Sequence, residues 1–224
     1  MKYLLTTLLT ILTLSLSYAQ TNAEDELGAW YTLSGSHKIS NNFSIGTLAQ
    51  LWLFEETQNF NFILLTGGLN YHVSPKLTTT IAFSYADIDG GFNTNSPHTF
   101  ENRLAEQIVF KHKTSKLPID HRFRAEHRFF SKLNTNTTKH RFRYRLGTKI
   151  VLNKHLFLRL NDEFLVTLNS NKLTENRFYS ALGININKSS NLQFGYLNRK
   201  IKGQNFHRLQ VSLFFKTDLR KKKS

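Results

Sequence analysis

Between residues 139 and 151 a basic residue recurs at almost every second position. Lys139, Arg141, Arg143, Arg145 and Lys149, with Gly147 in phase, alternate with His140, Phe142, Tyr144, Leu146, Thr148 and Ile150. A period of two puts the two sets on opposite sides of a β-strand, whereas a helix would scatter both around its circumference. The same phase returns along the chain. Arg122, Arg124, Glu126 and Arg128 oppose Phe123, Ala125 and Phe129; Arg159, Asn161 and Glu163 oppose Leu158, Leu160, Phe164 and Val166. Glu175, Arg177, Tyr179, Ala181 and Gly183 oppose Phe178, Leu182, Ile184 and Ile186, and Arg208, Gln210 and Ser212 oppose Leu209, Val211, Leu213 and Phe215. Five successive segments therefore share one apolar face, and the face behind it is charged.

Strand character extends over segments 27–39, 43–55, 60–73, 77–87, 99–113, 120–131, 139–151, 155–167, 175–187, 191–201 and 206–216. Most reach the 9 to 11 residues, about, that a tilted strand needs to cross a bilayer. The separators alternate in length. Short ones lie at 40–42, 74–76, 115–118, 153–154 and 188–190; longer or more polar ones lie at 55–59, 88–98, 131–139, 169–174 and 202–205. In bacterial barrels the short turns face the periplasm and the longer loops the exterior, which places 88–98 outside. Such barrels also carry an even number of strands, so eleven segments predict about ten strands, with 27–39 incompletely spanning, or twelve as the alternative.

The ends and the composition point the same way. Leu4 to Leu16 form an apolar run relieved only by Thr and Ser, and Ser17-Tyr18-Ala19 fits a signal-peptidase site before Gln20. The chain has no cysteine, so an exported fold must be held by a large core or by a membrane. No run of about 18 apolar residues follows Gln20, yet there are 19 Phe and 8 Tyr. The expectation is an all-β, antiparallel transmembrane β-barrel of the outer-membrane type: residues 1–19 a cleaved signal peptide, 20–216 the barrel, 217–224 a basic C-terminal tail. A soluble sandwich would leave the arginine ladders in water and would have to pack its inner faces together. The partners expected are outer-membrane lipids and the barrel-assembly machinery; no cofactor is implied.

The inward set is Glu101, Arg103, Gln107, Arg122, Arg124, Glu126, Arg128, Arg141, Arg143, Arg145, Arg159, Glu163, Glu175, Arg177 and Arg208. Long side chains of both signs on adjoining strands can brace a narrow lumen, with Arg–Glu pairs meeting across the axis. Alternatively the arginine excess favours a small anionic solute in a passage lined by Arg141, Arg143, Arg145, Arg122 and Arg124. A third reading is rim chemistry, hydrolysis or acyl transfer, in which Asp87 and Asp89 work with His98 around the 88–98 loop. Two Asp beside Gly90-Gly91 are also ordinary turn chemistry.

The formal charge of +15 does not predict nucleic-acid binding, because alternation in HRFRYR separates each arginine from the neighbouring aromatic ring. No HExxH spacing or Cys partner predicts a metal site; His121, His127 and His140 are read as interfacial. Asp162 and His127 fall on the apolar face, where a charge costs least near an interface, so both are expected near strand ends or beside a bulge.

The pieces ENRLAEQ at 101–107, HRFRAEHRF at 121–129, RFRYRLGTKI at 141–150, NDEF at 161–164, ENRFYSALGININ at 175–187 and LQVSLFF at 209–215, with the early LGAWYTLSGSHKIS, together resemble the DUF2490 family of Bacteroidetes and Proteobacteria. The resemblance covers nearly all of the chain after residue 26. It implies an outer-membrane β-barrel and carries no established activity, substrate or catalytic residue over to Glu101, Arg103, Arg122, Glu163, Glu175 or Arg177. The chain departs from a usual barrel ending in that Phe215 is followed by a basic tail.

Overall fold

The computed structural model describes residues 26–92, 96–115, 117–168 and 172–220. The expected signal peptide and the last four residues of the basic tail lie outside the described residues. The strands are β1 (Gly28–Lys38), β2 (Phe43–Leu53), β3 (Phe60–His72), β4 (Leu77–Ile88), β5 (Thr99–Thr114), β6 (Leu117–Lys132), β7 (Thr135–Val151), β8 (Leu156–Thr167), β9 (Lys172–Asn185), β10 (Ser190–Ile201) and β11 (Gln204–Asp218). Each pairs with its sequence neighbours, and β1 pairs with β11, so the sheet closes into a barrel.

All eleven expected segments are strands, one more than the ten that the even-number argument favoured. The difference lies at the seam. β1 and β11 run parallel, Gly28 beside Arg208 and Lys38 beside Asp218, while every other pair is antiparallel. An antiparallel seam requires an even count; a parallel one permits an odd count.

Register gives the strands their tilt. From Lys38, at the end of β1, direct pairing leads through Ser44, Asn70, Thr80, Gln107, Arg124, Arg143, Leu165, Glu175 and Ile201 to Gln204, at the start of β11. One circuit of hydrogen bonds thus climbs from one end of the barrel to the other, the stagger that closure demands.

The turns at one end share a local chemistry. Ser40 Oγ accepts from the backbone amides of Asn42 and Phe43, Ser74 Oγ from Lys76 and Leu77, Asn153 Oδ1 from His155 and Leu156, and Asn187 Oδ1 from Ser189. A short polar side chain that bonds the backbone two or three residues on nucleates a tight reversal. At the other end, two segments expected as longer loops are not loops. β6 and β7 continue to Lys132 and Thr135, leaving Leu133 (φ 49°) and Asn134 as the turn. β10 and β11 meet at Lys202 (φ 50°) and Gly203 (φ 92°), the pair of positive φ values that matches strand twist. The Thr and Asn residues of 131–139 look loop-like by polarity, but threonine is a good strand former on an exposed edge.

The outward face is apolar: Ile81, Phe83, Phe123, Phe142, Phe178 and Phe194 are all exposed. The inward face divides. On β5–β9 it is charged; on β1–β4 it carries Trp30, Leu48, Trp52, Phe62, Leu64, Ala86 and Ile88, which form two apolar clusters joined through Trp52, one of them including Tyr179 and Ala181 of β9 and Leu197 of β10. Side chains fold over inward glycines to fit: a Cβ at Gly183 would overlap the Phe157 ring, and one at Gly195 would overlap that of Tyr179.

Candidate functional site in the lumen and at the rim

Because alternate residues of β5 to β9 point inward, carboxylates on one strand fall level with guanidinium groups on the next. Glu101, 1% exposed, accepts from Arg103 Nε at 2.7 Å and from Arg128 Nε and Nη2 at 2.7 and 2.8 Å. Glu126, also 1% exposed, accepts from Arg141 Nε at 2.7 Å and Arg143 Nη1 at 2.8 Å, with Arg103 and Arg124 at 3.6 and 3.7 Å. Arg143 also donates to both oxygens of Glu163, at 3.0 and 2.7 Å, and Arg122 donates to Glu163 Oε1 at 2.6 Å. A continuous chain of pairs thus joins β5 to β8, with Arg143 the link between its two central glutamates. Two further groups stand beside it. Arg145 and Arg159 share Asp120, and Arg177 and Arg199 share Glu175. Fixed forks of donors matched to planar carboxylates give each pair directional strength.

Arg124, beside Glu126, makes its hydrogen bonds to Gln107 Oε1, at 2.6 Å from Nη2 and 3.0 Å from Nε. From Gln107 a polar ladder continues along the direct register: Gln107 Nε2 to Thr80 Oγ1 at 3.5 Å, Thr80 to Asn70 at 2.8 Å, Asn70 to Ser44 at 3.2 Å. Arg208 donates to the Glu26 and His207 carbonyls.

The internal network of pairs described above includes Glu101, Arg103, Arg122, Arg124, Glu126, Arg128, Arg141, Arg143, Arg145, Arg159, Glu163, Glu175 and Arg177, together with Asp120 and Arg199. Asp120 stands two positions before Arg122 and was recoverable by extending the same alternation. Arg199 stands in phase with Gln193, Gly195 and Leu197, where no charged alternation marked the face.

One expectation is corrected. The Arg–carboxylate pairs do not meet across the axis; they run along a single strand or sideways, between strands adjacent or once removed. The longest reach through the lumen, from β9 to β2, is made by arginine against aromatic rings. Trp30 and Trp52 stack with centroids 3.7 Å apart and planes 5° apart, and the guanidinium carbons of Arg177 and Arg199, from β9 and β10, lie 5.2 to 5.5 Å from both rings. Glu175 holds both arginines from behind. Sequence reading missed this cluster because Leu51, Trp52 and Leu53 make both faces of β2 apolar there, and alternation then carries no sign.

At the loop-bearing rim, Asp87, Asp89 and His98 do meet. His98 Nδ1 lies 2.8 Å from Asp87 Oδ1 and Nε2 lies 3.8 Å from Asp89 Oδ2, while Phe60 stacks on the imidazole at 5.8 Å. Asp89 Oδ1 also accepts from the Gly91 amide at 2.9 Å. His98 Nδ1 thus bonds Asp87, while Nε2 lies beyond hydrogen-bond distance of Asp89, and together these contacts clasp the loop to the end of β4.

On the outer face His127 and His140 lie opposite one another with Nδ1 atoms 2.8 Å apart, His127 Nε2 is 3.4 Å from Glu106, and His121 bonds Tyr144. No group of three or more His, Cys, Asp or Glu among the described residues is arranged to hold a metal ion. Asp162 is not near a strand end: it lies mid-strand on β8 and accepts from Asn176 Nδ2 at 2.7 Å, and the register shift of the β8–β9 pair comes later, where Thr174 of β9 is skipped between the partners of Leu165 and Val166. A neighbouring donor, not proximity to an end, accommodates this carboxylate.

The family model described as protein of unknown function, DUF2490, matches residues 27–210. No curated protein and no solved structure matches.

Proposed function

We propose, from the premise that this chain belongs to the DUF2490 family, that it is an outer-membrane β-barrel that stands closed or narrow, its lumen braced by arginine–carboxylate pairs and crossed by the Trp30–Trp52 stack. The apolar outward face matches the hydrocarbon region of a bilayer, and strands of 11 to 17 residues span it when tilted. The short Ser- and Asn-nucleated turns then face the periplasm and the 89–98 loop faces out. The signal peptide ends before Gln20, and membrane lipids and the barrel-assembly machinery are the partners. The observation that carries the closed reading is the Trp30–Trp52 stack on β1 and β2 meeting Arg177 and Arg199, which reach into the lumen from β9 and β10.

Planar-bilayer recording of the folded protein tests it: the expected result is no conductance steps, and steady anion-selective steps would overturn it. One observation favours an anion-preferring channel as the second reading. Arg103, Arg122, Arg124, Arg128, Arg141, Arg143, Arg145, Arg159, Arg177 and Arg199 outnumber Glu101, Asp120, Glu126, Glu163 and Glu175, a surplus that draws anions toward any water path. Neutralising Arg141, Arg143 and Arg145 would abolish that selectivity.

A further inference from the structure

Glu106 stands at the middle of β5 and points outward, between Ile81 of β4 and Ala125 of β6, with its side chain 48% exposed. It lies in a groove of about 740 Å³ on the outer face of β3–β8, whose other walls include Ile81, Ile108, Phe123, Phe142 and Phe164. Its polar neighbour is His127 Nε2 at 3.4 Å, and His127 in turn contacts His140 across the β6–β7 pair. Against lipid such a carboxylate would have no donor beyond that histidine, and uncompensated acids in the hydrocarbon zone are costly. Against protein the same patch is an asset. It carries an acid and two imidazoles side by side, with a concave apolar floor at Ala125, so a two-fold axis through the groove would set the acid of one copy toward the imidazoles of the other.

We propose that this groove is the contact face between two copies of the chain, with Glu106 of each copy bonded to His127 or His140 of the other. The proposal rests on the membrane reading, since only there does the exposed carboxylate lack water. The native chain has no cysteine, which makes single-cysteine cross-linking a clean probe.

Ile81, Ala125, Phe142 and Phe164 are changed one at a time to Cys in the full-length protein in its native membrane, with Leu33, Phe194 and Leu209 on the other side of the barrel as controls, and oxidised with copper phenanthroline. Insertion is scored in the same samples by resistance to urea extraction and by the heat-dependent gel shift of a folded barrel. The expected result is a disulfide dimer from the groove positions alone, reduced at least fivefold when Glu106→Leu is combined with Ala125→Cys. Inserted protein that gives no groove-specific dimer overturns the proposal, whether lipid or a different protein covers the face; so does a dimer that survives Glu106→Leu unchanged. Extraction by urea with loss of the heat-dependent shift overturns the membrane reading itself and is distinguishable from either outcome.

Discussion

Trp30 of β1 and Trp52 of β2 are register partners whose rings stack at 3.7 Å, and the pair is the apolar end of a bridge to Arg177 and Arg199. Trp30 is 4% exposed, so removing it opens a cavity as well as breaking the stack. Trp30→Ala is expected to lower the unfolding free energy by about 3–5 kcal/mol, read from the midpoint of urea unfolding in lipid vesicles. The same variant removes the bridge's seat and should yield the first conductance steps in planar bilayers. An unchanged midpoint would show that the stack contributes nothing beyond its neighbours.

Arg143 links Glu126 and Glu163, and each carboxylate is nearly inaccessible to solvent. Arg143→Met leaves both short of a donor at the centre of the chain of pairs, and a loss of about 3–5 kcal/mol is expected. Arg143→Lys should recover only part of it, since an ammonium cannot bond both oxygens of Glu163 while reaching Glu126. Lys188→Ala, on an exposed turn, should stay within about 0.5 kcal/mol of the parent.

Gly183 leaves the space that the Phe157 ring fills. Gly183→Ala should destabilise by at least about 1 kcal/mol through displacement of that ring, and combining it with Phe157→Ala should cost less than the sum of the two single changes. A double-mutant cycle on the unfolding midpoints measures the coupling; strict additivity would separate the two positions.

The His98 clasp makes a prediction about the rim. Asp87→Asn and His98→Ala each free the 89–98 loop from β4, so protease added outside sealed vesicles should cut within it faster than in the parent, while the barrel itself stays intact. Equal cleavage rates would show that the clasp holds nothing.

The strands that alternate charge with apolar residues are legible residue by residue, because a sheet's two faces differ by one position and Arg141, Arg143 and Arg145 cannot share a face with Phe142 and Tyr144. The 60–65 stretch is illegible by the same logic: Phe62 and Leu64 point in, Ile63 and Leu65 point out, and all four are apolar. The seam was equally hidden. Which strand meets β1 depends on closure across nearly the whole chain, and no local pattern in GAWYTLSGSHK specifies a parallel partner over an antiparallel one. Asp162 went astray because its neighbour Asn176 is fourteen residues away in sequence and diagonal to it in space.

The parallel seam has a consequence for rewiring the protein. Gly28 and Asp218 lie at opposite rims, separated by the full length of β1, whose 11 residues at about 3.3 Å each amount to roughly 36 Å along the strand. Joining the old termini in a circular permutant would therefore demand a tether of about ten extended residues laid along the wall or threaded through the lumen past Trp30. Where an antiparallel seam would accept a two-residue hairpin and allow any turn to become the new start, this barrel tolerates only cuts accompanied by a long strap.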